Sequence, residues 1–277
     1  MSKEEIYLER RDAVAILTLD RPLRQNALND RMFEDLERVT RELKEHLPRA
    51  VVITGGGDKA FCAGFDIHPD NPLVSGLIEA AEKKNQASAH KLIHYIRKIV
   101  NGFVSLPVPI IAAINGLAYG GGAELAVRCD LRVMDPNAVI CFSEVRLGLM
   151  PDWGGGAALV RLIGSSRAAD VILTARRIQA GEAINLGLVN RICPSGDCLE
   201  DAVAFASLIA ANSPRAVSYT LALIRQSQNL TFRQTLDLEE EKAVSLIGSG
   251  EYFYGVTAFL EKRKPVFPDF DPGVEGA

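Results

Sequence analysis

The sequence predicts an α/β fold, and two features support this prediction. Continuous apolar stretches such as AVVITG and PIIAAI are typical of strands covered on both faces, and glycines follow each of them. From Asp201 onward the pattern is helical, with no strand-like stretch. We therefore expect an α/β core over 1–200 that carries the active site. A helical C-terminal region over 201–277 is expected to pack on this core or on a neighbouring subunit.

The elements of the first half follow from periodicity. The first strand is predicted in AVAILTLD, which ends at Arg21. The residues after it predict a helix over 30–47 with Asp30 as its N-cap. The strand AVVITGGG comes next, and then a long helix over 79–103. Apolar residues recur in the first helix at steps of three and four: Met32, Leu36, Val39, Leu43 and Leu47.

The second half repeats the alternation. The strand PIIAAING leads into glycines and a helix from about Gly121, followed by strands in LRVMD and AVICFSE. The stretches GAALVRLIG and SRAADVILT predict helices, and RIQAGEAINLGLVNRI predicts a helix with a strand. Four helices are expected in DAVAFASLIAAN, PRAVSYTLALIRQS, LDLEEEKAVSLIG and EYFYGVTAFLEKR.

Composition excludes several classes of protein. The net charge of −4 and the pI of about 5.7 indicate no nucleic-acid partner. No apolar run reaches the roughly 20 residues of a bilayer span, and the charged N-terminus does not resemble a secretory signal. The five cysteines show no CxxC spacing, which predicts reduced thiols in a cytoplasmic protein. The four histidines form no HExxH pattern, so we expect no metal.

The first glycine-rich stretch is TGGGDKAFCAGFDI. Gly55, Gly57 and Ala60 have the spacing of a dinucleotide fingerprint after a strand. That fingerprint opens a helix, and no helical periodicity begins here. Nucleotide binding is therefore the weaker hypothesis.

Two further stretches combine glycines with carboxylates. In AINGLAYGGGAELAVRCD, three glycines precede Glu124 at a predicted helix start, where free amides attract anionic oxygens. Close packing of a helix on a strand explains the same glycines equally well. In CFSEVRLGLMPDWGGG, Glu144 follows a strand and Asp152 precedes three more glycines. Three such stretches in one chain favour a catalytic site.

These blocks resemble the signature sequences of the crotonase (enoyl-CoA hydratase/isomerase) superfamily. The resemblance rests on AFCAGFD, NGLAYGGGAELAVRCD, FSEVRLGLMPDWGG and AFLEKRKPVF, and it extends from LDRPLRQNAL almost to the end of the chain. It implies a spiral of ββα repeats with a helical C-terminal region. It also implies a homotrimer or a dimer of trimers.

The resemblance implies hydration of trans-2-enoyl-CoA to 3-hydroxyacyl-CoA. The amides of Phe65 and Gly121 would form an oxyanion hole for the thioester oxygen, and Glu124 and Glu144 would be the acid/base pair. Asp152 is a departure from the simplest hydratases of the family. It raises the alternative of an enoyl- or dienoyl-CoA isomerase that uses Glu144 with Asp152, and a CoA-thioester hydrolase is a further alternative.

The resemblance also implies which residues bind coenzyme A, which is part of the substrate, so that no separate cofactor is expected. Arg24 would lie near its phosphates, and the loop after AFC would lie along its pantetheine. Phe259 and Lys262 would reach the coenzyme A of a neighbouring subunit. The full predicted set is Arg24, Ala63, Phe65, Asp66, Ile67, Gly120, Gly121, Trp153, Phe259 and Lys262. A non-catalytic, RNA-associated member of the same fold is disfavoured by the acidic balance and the intact carboxylate pair.

Trp153 predicts a preference for short or cyclic acyl groups, because its large ring shortens or flattens the acyl pocket. Steady-state kinetics with enoyl-CoAs of four to about sixteen acyl carbons measure this preference. We expect kcat/KM to fall with chain length. A higher kcat/KM for the long chains would contradict the prediction.

Overall fold

The computed structural model describes residues 4–84 and 86–270. Its strands are β1 (Ile6–Arg11), β2 (Val14–Leu19), β3 (Ala50–Gly55), β4 (Ala60–Cys62), β5 (Ile110–Ile114), β6 (Leu117–Tyr119), β7 (Leu131–Met134), β8 (Val139–Cys141), β9 (Ile178–Gln179) and β10 (Arg191–Ile192). Its helices are α1 (Asp30–Glu45), α2 (Pro72–Glu82), α3 (Gln86–Val104), α4 (Gly121–Arg128), α5 (Gly155–Ile163), α6 (Ser165–Thr174), α7 (Ala180–Asn185), α8 (Cys198–Ala210), α9 (Pro214–Ser227), α10 (Phe232–Gly248) and α11 (Tyr252–Leu260).

The strands form two sheets that the chain visits alternately. The large sheet has the order β1-β2-β3-β5-β7-β10, and the small sheet has the order β4-β6-β8-β9. The pairs β3–β4, β5–β6 and β7–β8 each place their first strand in the large sheet and their second in the small one. Each pair is followed by helix, which confirms the predicted spiral of ββα repeats with a helical C-terminal region.

Both faces of the large sheet are covered. Residues of α1, α3 and α4 pack on one face and form the main core. The small side chains of α8, including Ala202 and Ala206, pack on the other face. This double coverage explains why β3 and β5 are apolar at almost every position rather than at alternate ones.

The N-terminal elements differ from the prediction in two places. Strand β1 was missed because charged residues interrupt its apolar pattern, as is common at a sheet edge. The N-cap of α1 is Asn29 rather than Asp30, since the Asn29 side chain accepts the N–H of Met32 at 2.9 Å. The helix ends at Glu45, two residues earlier than predicted.

The predicted helix over 79–103 is wrong. The structure places two helices there, α2 and α3, which pack against each other. The backbone of Lys84 between them is left-handed (φ +48°), and a helix does not continue through such a residue. Periodicity did not reveal this break, because the residues around it are polar.

The C-terminal region is joined to the core by Arg225 of α9. Its guanidinium binds both carboxylate oxygens of Asp130, at 2.8 and 2.6 Å, and donates to the carbonyl of Leu106 at 2.8 Å. Helix α8, which begins at Cys198, belongs to the packing of the large sheet. The division of the chain at residue 200 stays a prediction.

Large apolar side chains are exposed on α9, α10 and α11. They include Ile224, Phe232, Leu236, Val244, Ile247, Phe253, Phe259 and Leu260. Exposed apolar side chains in such number indicate an interaction surface in many proteins. Separately, none of the helices in the described ranges has both the length and the apolar character needed to cross a bilayer.

We expect Arg225→Met to destabilise the fold by about 2–3 kcal/mol, because it leaves the largely buried Asp130 carboxylate without its cation. Arg176→Met is a matched control, since Arg176 also binds two carboxylates, Asp170 and Glu182, but at a more exposed site. Arg176→Met should lower the free energy of unfolding by less than about 1 kcal/mol. Chemical unfolding of both variants measures the difference, and equal losses would contradict the role of Arg225.

Candidate active site

Three site segments follow three adjacent strands of the small sheet. Strands β4, β6 and β8 are parallel neighbours, so their carboxyl ends lie at one edge. The loop 63–67 follows β4, the start of α4 follows β6, and Glu144 comes three residues after β8. Ligands of α/β proteins bind at such an edge. The topology thus brings together the three stretches that the sequence singled out.

The glycines before Glu124 are required by backbone conformation and by contact. Gly120 has φ +50° and ψ −125°, a region that side-chain-bearing residues avoid. A Cβ on Gly122 would lie 2.0 Å from the carbonyl oxygen of Cys62, and one on Gly64 would lie 2.8 Å from the amide nitrogen of Gly121. The loop after β4 therefore lies directly against the start of α4. Of the two explanations left open by the sequence, close packing is shown, and the anion-binding role of the amides stays a prediction.

The amides of Phe65 and Gly121 face this junction. Segment 25–28 pairs with the loop through Leu28, which accepts the N–H of Asp66 and donates to the carbonyl of Gly64. That pairing uses the residues on either side of Phe65. Neither Phe65 N–H nor Gly121 N–H donates to another residue in the ranges that the structure describes. The hydrogen bonds of the described residues thus leave both N–H groups unused.

The carboxylate of Glu124 is buried and bound by backbone. It accepts the N–H of Asp152 at 3.1 Å, of Trp153 at 2.9 Å and of Gly155 at 2.8 Å. Burial raises the pKa of Glu124 from 4.5 to about 8, the Gly155 and Asp152 amides oppose this shift, and the nearby Glu144 adds to it. Glu124 thus holds a proton readily near neutral pH.

Glu144 has a contrasting environment. It opens a 3₁₀ turn after β8, and both of its carboxylate oxygens are buried without a hydrogen-bond partner among the described residues. A Cβ on Gly120 would lie 3.8 Å from its Oε1, so the carboxyl group faces the glycine turn. Burial raises the pKa of Glu144 as well. The nearby carboxyl group of Glu124 lowers the pKa of Glu144 in part, and a buried carboxyl group that accepts no backbone N–H of another residue is unusual in a purely structural site.

Asp152 is a third carboxyl group of the site. Burial raises its pKa, and the charge of Arg97 on α3 lowers it in part. In turn, Asp152 contributes to the raised pKa of both Glu124 and Glu144. The charge of Asp152 therefore disfavours ionisation of both glutamates.

Trp153 closes the site on the core side. Its ring lies 5.5 Å from that of Phe33, edge to face, and only 4% of the residue is exposed. A Cβ on Gly121 would lie 2.4 Å from the ring, which shows how closely the indole covers the start of α4. The limit that it sets on acyl length stays a prediction.

The predicted coenzyme A residues fall into two groups. Ala63 is half-buried and Ile67 is exposed in the loop after β4, while Arg24 is an exposed residue that binds Asp70 at 3.1 Å. The carboxylate of Asp66 is buried and accepts from Arg21 at 2.9 Å and from the N–H of His68. Asp66 therefore holds the loop in shape rather than presenting its side chain to a ligand.

Phe259 and Lys262 belong to the second group. Phe259 of α11 is 81% exposed, and Lys262 has a left-handed backbone just after that helix. No contact joins either residue to the two glutamates in the part of the chain that the structure describes. Their predicted contact with a neighbouring subunit stays a prediction.

The sequence interpretation missed the segment 152–155 as a partner of Glu124. The signal was present in Gly155, where a Cβ would meet the Cα and Cβ of Glu124 at 2.4 Å. It was also present in Arg128, four residues after Glu124, which donates to the carbonyl of Trp153 at 2.7 Å.

The hypothesis of nucleotide binding is tested by the geometry. The glycines at 55–57 lead into strand β4 and not into a helix, so the dinucleotide fingerprint is wrong here. No group of three acidic, histidine or cysteine side chains suited to a metal is found in the described ranges. All five cysteines are free and buried.

Comparisons with known proteins identify relatives of this chain. Residues 9–270 match the family model described as enoyl-CoA hydratase/isomerase. The chain is 33% identical to the short-chain-enoyl-CoA hydratase of Clostridium acetobutylicum, over 95% of this chain and 97% of that protein. It is also 33% identical to the crotonyl-CoA hydratase of Syntrophomonas wolfei, over 96% of this chain and 99% of that protein. The crystal structure of an enoyl-CoA hydratase from Bacillus anthracis superposes with a TM-score of 0.85, at 34% identity, over 95% and 98% of the two chains.

We expect the free energy of unfolding to fall as pH rises from 4.5 to about 8. In this window the folded state keeps a proton on Glu124 that the unfolded chain has released. Each such proton contributes a slope of up to about 1.4 kcal/mol per pH unit. Glu124→Gln should flatten the slope, as measured by urea unfolding across this range. If the slope is the same in Glu124→Gln as in the unaltered protein, the raised pKa of Glu124 is contradicted.

Proposed function

The chain belongs to the enoyl-CoA hydratase/isomerase family, and on that premise we propose that it hydrates trans-2-enoyl-CoA to 3-hydroxyacyl-CoA. One observation carries this proposal. Two buried carboxyl groups, Glu124 and Glu144, lie at the strand edge that also presents the free amides of Phe65 and Gly121. Acid/base groups and oxyanion donors are the two requirements of this reaction.

The oxyanion donors act on the thioester. As water adds to C3, negative charge moves to the thioester oxygen and gives an enolate. The N–H groups of Phe65 and Gly121 would bind that oxygen, and each such donor is worth about 2.7–4 kcal/mol in comparable sites. Because they are backbone groups, they remain fixed when side chains nearby are replaced.

The carboxyl pair moves the protons. One carboxylate takes a proton from water as its oxygen bonds to C3, and the other carboxyl group delivers its proton to C2. The pair holds one proton before and after the step, so it returns to its starting state by exchange between the two groups. Water addition changes no overall oxidation state, and this reaction needs neither a redox cofactor nor a metal.

Coenzyme A would bind along the loop after β4. The exposed Ile67 and the backbone around Ala63 are suited to the pantetheine, and Arg24 is suited to the phosphates. Asp66 supports this loop through Arg21. The exposed Phe259 and Lys262 would serve the coenzyme A of a neighbouring subunit.

We also propose that the chain forms a homotrimer or a dimer of trimers. The exposed apolar side chains of α9–α11 support this assembly, because their burial between subunits is favourable by about 25 cal/mol per Å². Light scattering of the purified protein measures the mass. A monomeric mass of 30.1 kDa would contradict the proposal.

Double-bond isomerisation is the second candidate. It is favoured by Asp152, whose half-buried carboxyl group is electrostatically coupled to Glu124 and Glu144. In this reaction, Glu144 and Asp152 would shuttle one proton between two carbons of a dienoyl chain. Thioester hydrolysis is less favoured, since it needs a water at the carbonyl carbon rather than at C3.

We expect crotonyl-CoA to lose its enoyl-thioester absorbance in the presence of the protein. Glu144→Ala and Glu124→Ala should each lower kcat by about 10²–10⁴-fold, the usual contribution of a general acid or base. Product analysis must show the 3-hydroxyacyl thioester and not free CoA thiol.

Asp152→Ala separates the two candidates. For a hydratase it should leave most of the turnover of crotonyl-CoA intact, because the N–H of residue 152 still binds Glu124. For an isomerase it should abolish the conversion of a dienoyl-CoA, while Glu124→Ala spares it. No turnover of crotonyl-CoA by the unaltered protein would overturn the proposed hydration.

A further inference from the structure

Arg128 and Glu124 hold the same segment of backbone. They lie four residues apart on α4 and so project from one face of the helix. The carboxylate of Glu124 accepts the N–H groups of Asp152, Trp153 and Gly155. The Nη1 of Arg128 donates to the carbonyl of Trp153 at 2.7 Å. The acid thus binds the amides of the segment and the arginine binds a carbonyl of the same segment.

Both side chains approach the segment closely at its glycines. Gly154 has a left-handed backbone (φ +94°), and a Cβ on it would lie 3.2 Å from Nη1 of Arg128 and 3.3 Å from its Cζ. The guanidinium therefore lies against the turn that opens α5. A Cβ on Gly155 would meet the backbone and side chain of Glu124 at 2.4 Å. Two adjacent glycines admit these two side chains.

Arg128 also brings charge to the site. It is half-buried and forms no ion pair with a carboxylate among the described residues. Burial lowers its pKa, and the negative charge of Glu124 opposes that shift. By reciprocity, the guanidinium favours the ionised form of Glu124. The other charged groups that act on this environment are Glu144 and Asp152, which disfavour ionisation of Glu124, and Arg97, which lies near Asp152 and Arg128.

We propose that Arg128 is a positioning residue: it fixes the segment 152–155 so that three amides stay directed at the carboxylate of Glu124. Its catalytic consequence rests on the proposed hydration, and its structural consequence does not. The hydrogen bond to Trp153 sets where the carboxylate lies. The positive charge favours the singly protonated state of the Glu124–Glu144 pair over the doubly protonated one.

Arg128→Met and Arg128→Lys test this role. Methionine keeps an unbranched side chain and removes the donors and the charge, while lysine keeps the charge and a donating ammonium group. Arg41→Met is the control, because Arg41 is an exposed residue of α1. We expect Arg128→Met to lower kcat about ten- to a hundredfold with little change in KM, and lysine to restore most of the loss.

The pH profile separates positioning from general damage. Without the cation, ionising the carboxyl pair requires a higher pH, so the acidic limb of kcat/KM should move to higher pH in Arg128→Met. It should stay in place in Arg128→Lys and in Arg41→Met. If Arg128→Met and Arg128→Lys lose activity equally, with the limb unmoved, the positioning role is wrong.

Amide hydrogen exchange gives a readout that does not depend on activity. Peptides covering 152–155 should exchange faster in Arg128→Met than in the unaltered protein, while peptides of the large sheet keep their protection. Unchanged exchange at 152–155 would overturn the proposal even if turnover fell. If the unaltered protein does not hydrate crotonyl-CoA, the proposed function fails, and the exchange experiment still decides the role of Arg128.

Discussion

The burial of the Glu124 carboxylate sets the geometry of the whole site. An ionised carboxylate removed from water costs several kcal/mol unless hydrogen bonds replace its hydration. Here the replacement comes from the backbone at 152–155, which must approach α4 closely, and Gly155 allows that approach. The amides do not fully offset burial, so the pKa of Glu124 stays raised. A group with this balance gains and loses a proton near neutral pH, as general acid/base catalysis requires.

The spiral topology explains why such distant residues meet. Successive repeats place β4, β6 and β8 side by side and in parallel, so whatever follows each strand lies at one edge. The loop at Phe65, the helix start at Gly121 and the turn at Glu144 are separated by 56 and 23 positions along the chain. Because the three strands are neighbours in the sheet, these three segments lie close together. A change in the register of β4 against β6 would move the Phe65 amide away from that of Gly121.

The sequence predicted the elements that rely on local patterns and missed those that rely on tertiary contact. Continuous apolar runs revealed β3 and β5, and glycines with Glu124 revealed the start of α4. The break between α2 and α3 depends on the left-handed backbone of Lys84. A lysine in the sequence does not indicate this conformation. The partner of Glu124 was missed for a related reason. Hydrogen bonds to backbone amides give no side-chain pattern in the sequence, and this contact is marked only by Gly155 and by Arg128.

The two candidate reactions follow from one arrangement of acids. Any residue except proline at position 152 supplies the N–H that binds Glu124, whereas aspartate adds a third carboxyl group. Like charges in one pocket disfavour ionisation, so Asp152 strengthens the tendency of the glutamates to keep a proton. Hydration needs a water held between Glu124 and Glu144, and isomerisation needs a carboxyl group over a carbon farther along the chain. The path of the acyl group past Gly121 and the Trp153 ring therefore decides which proton transfer the site performs.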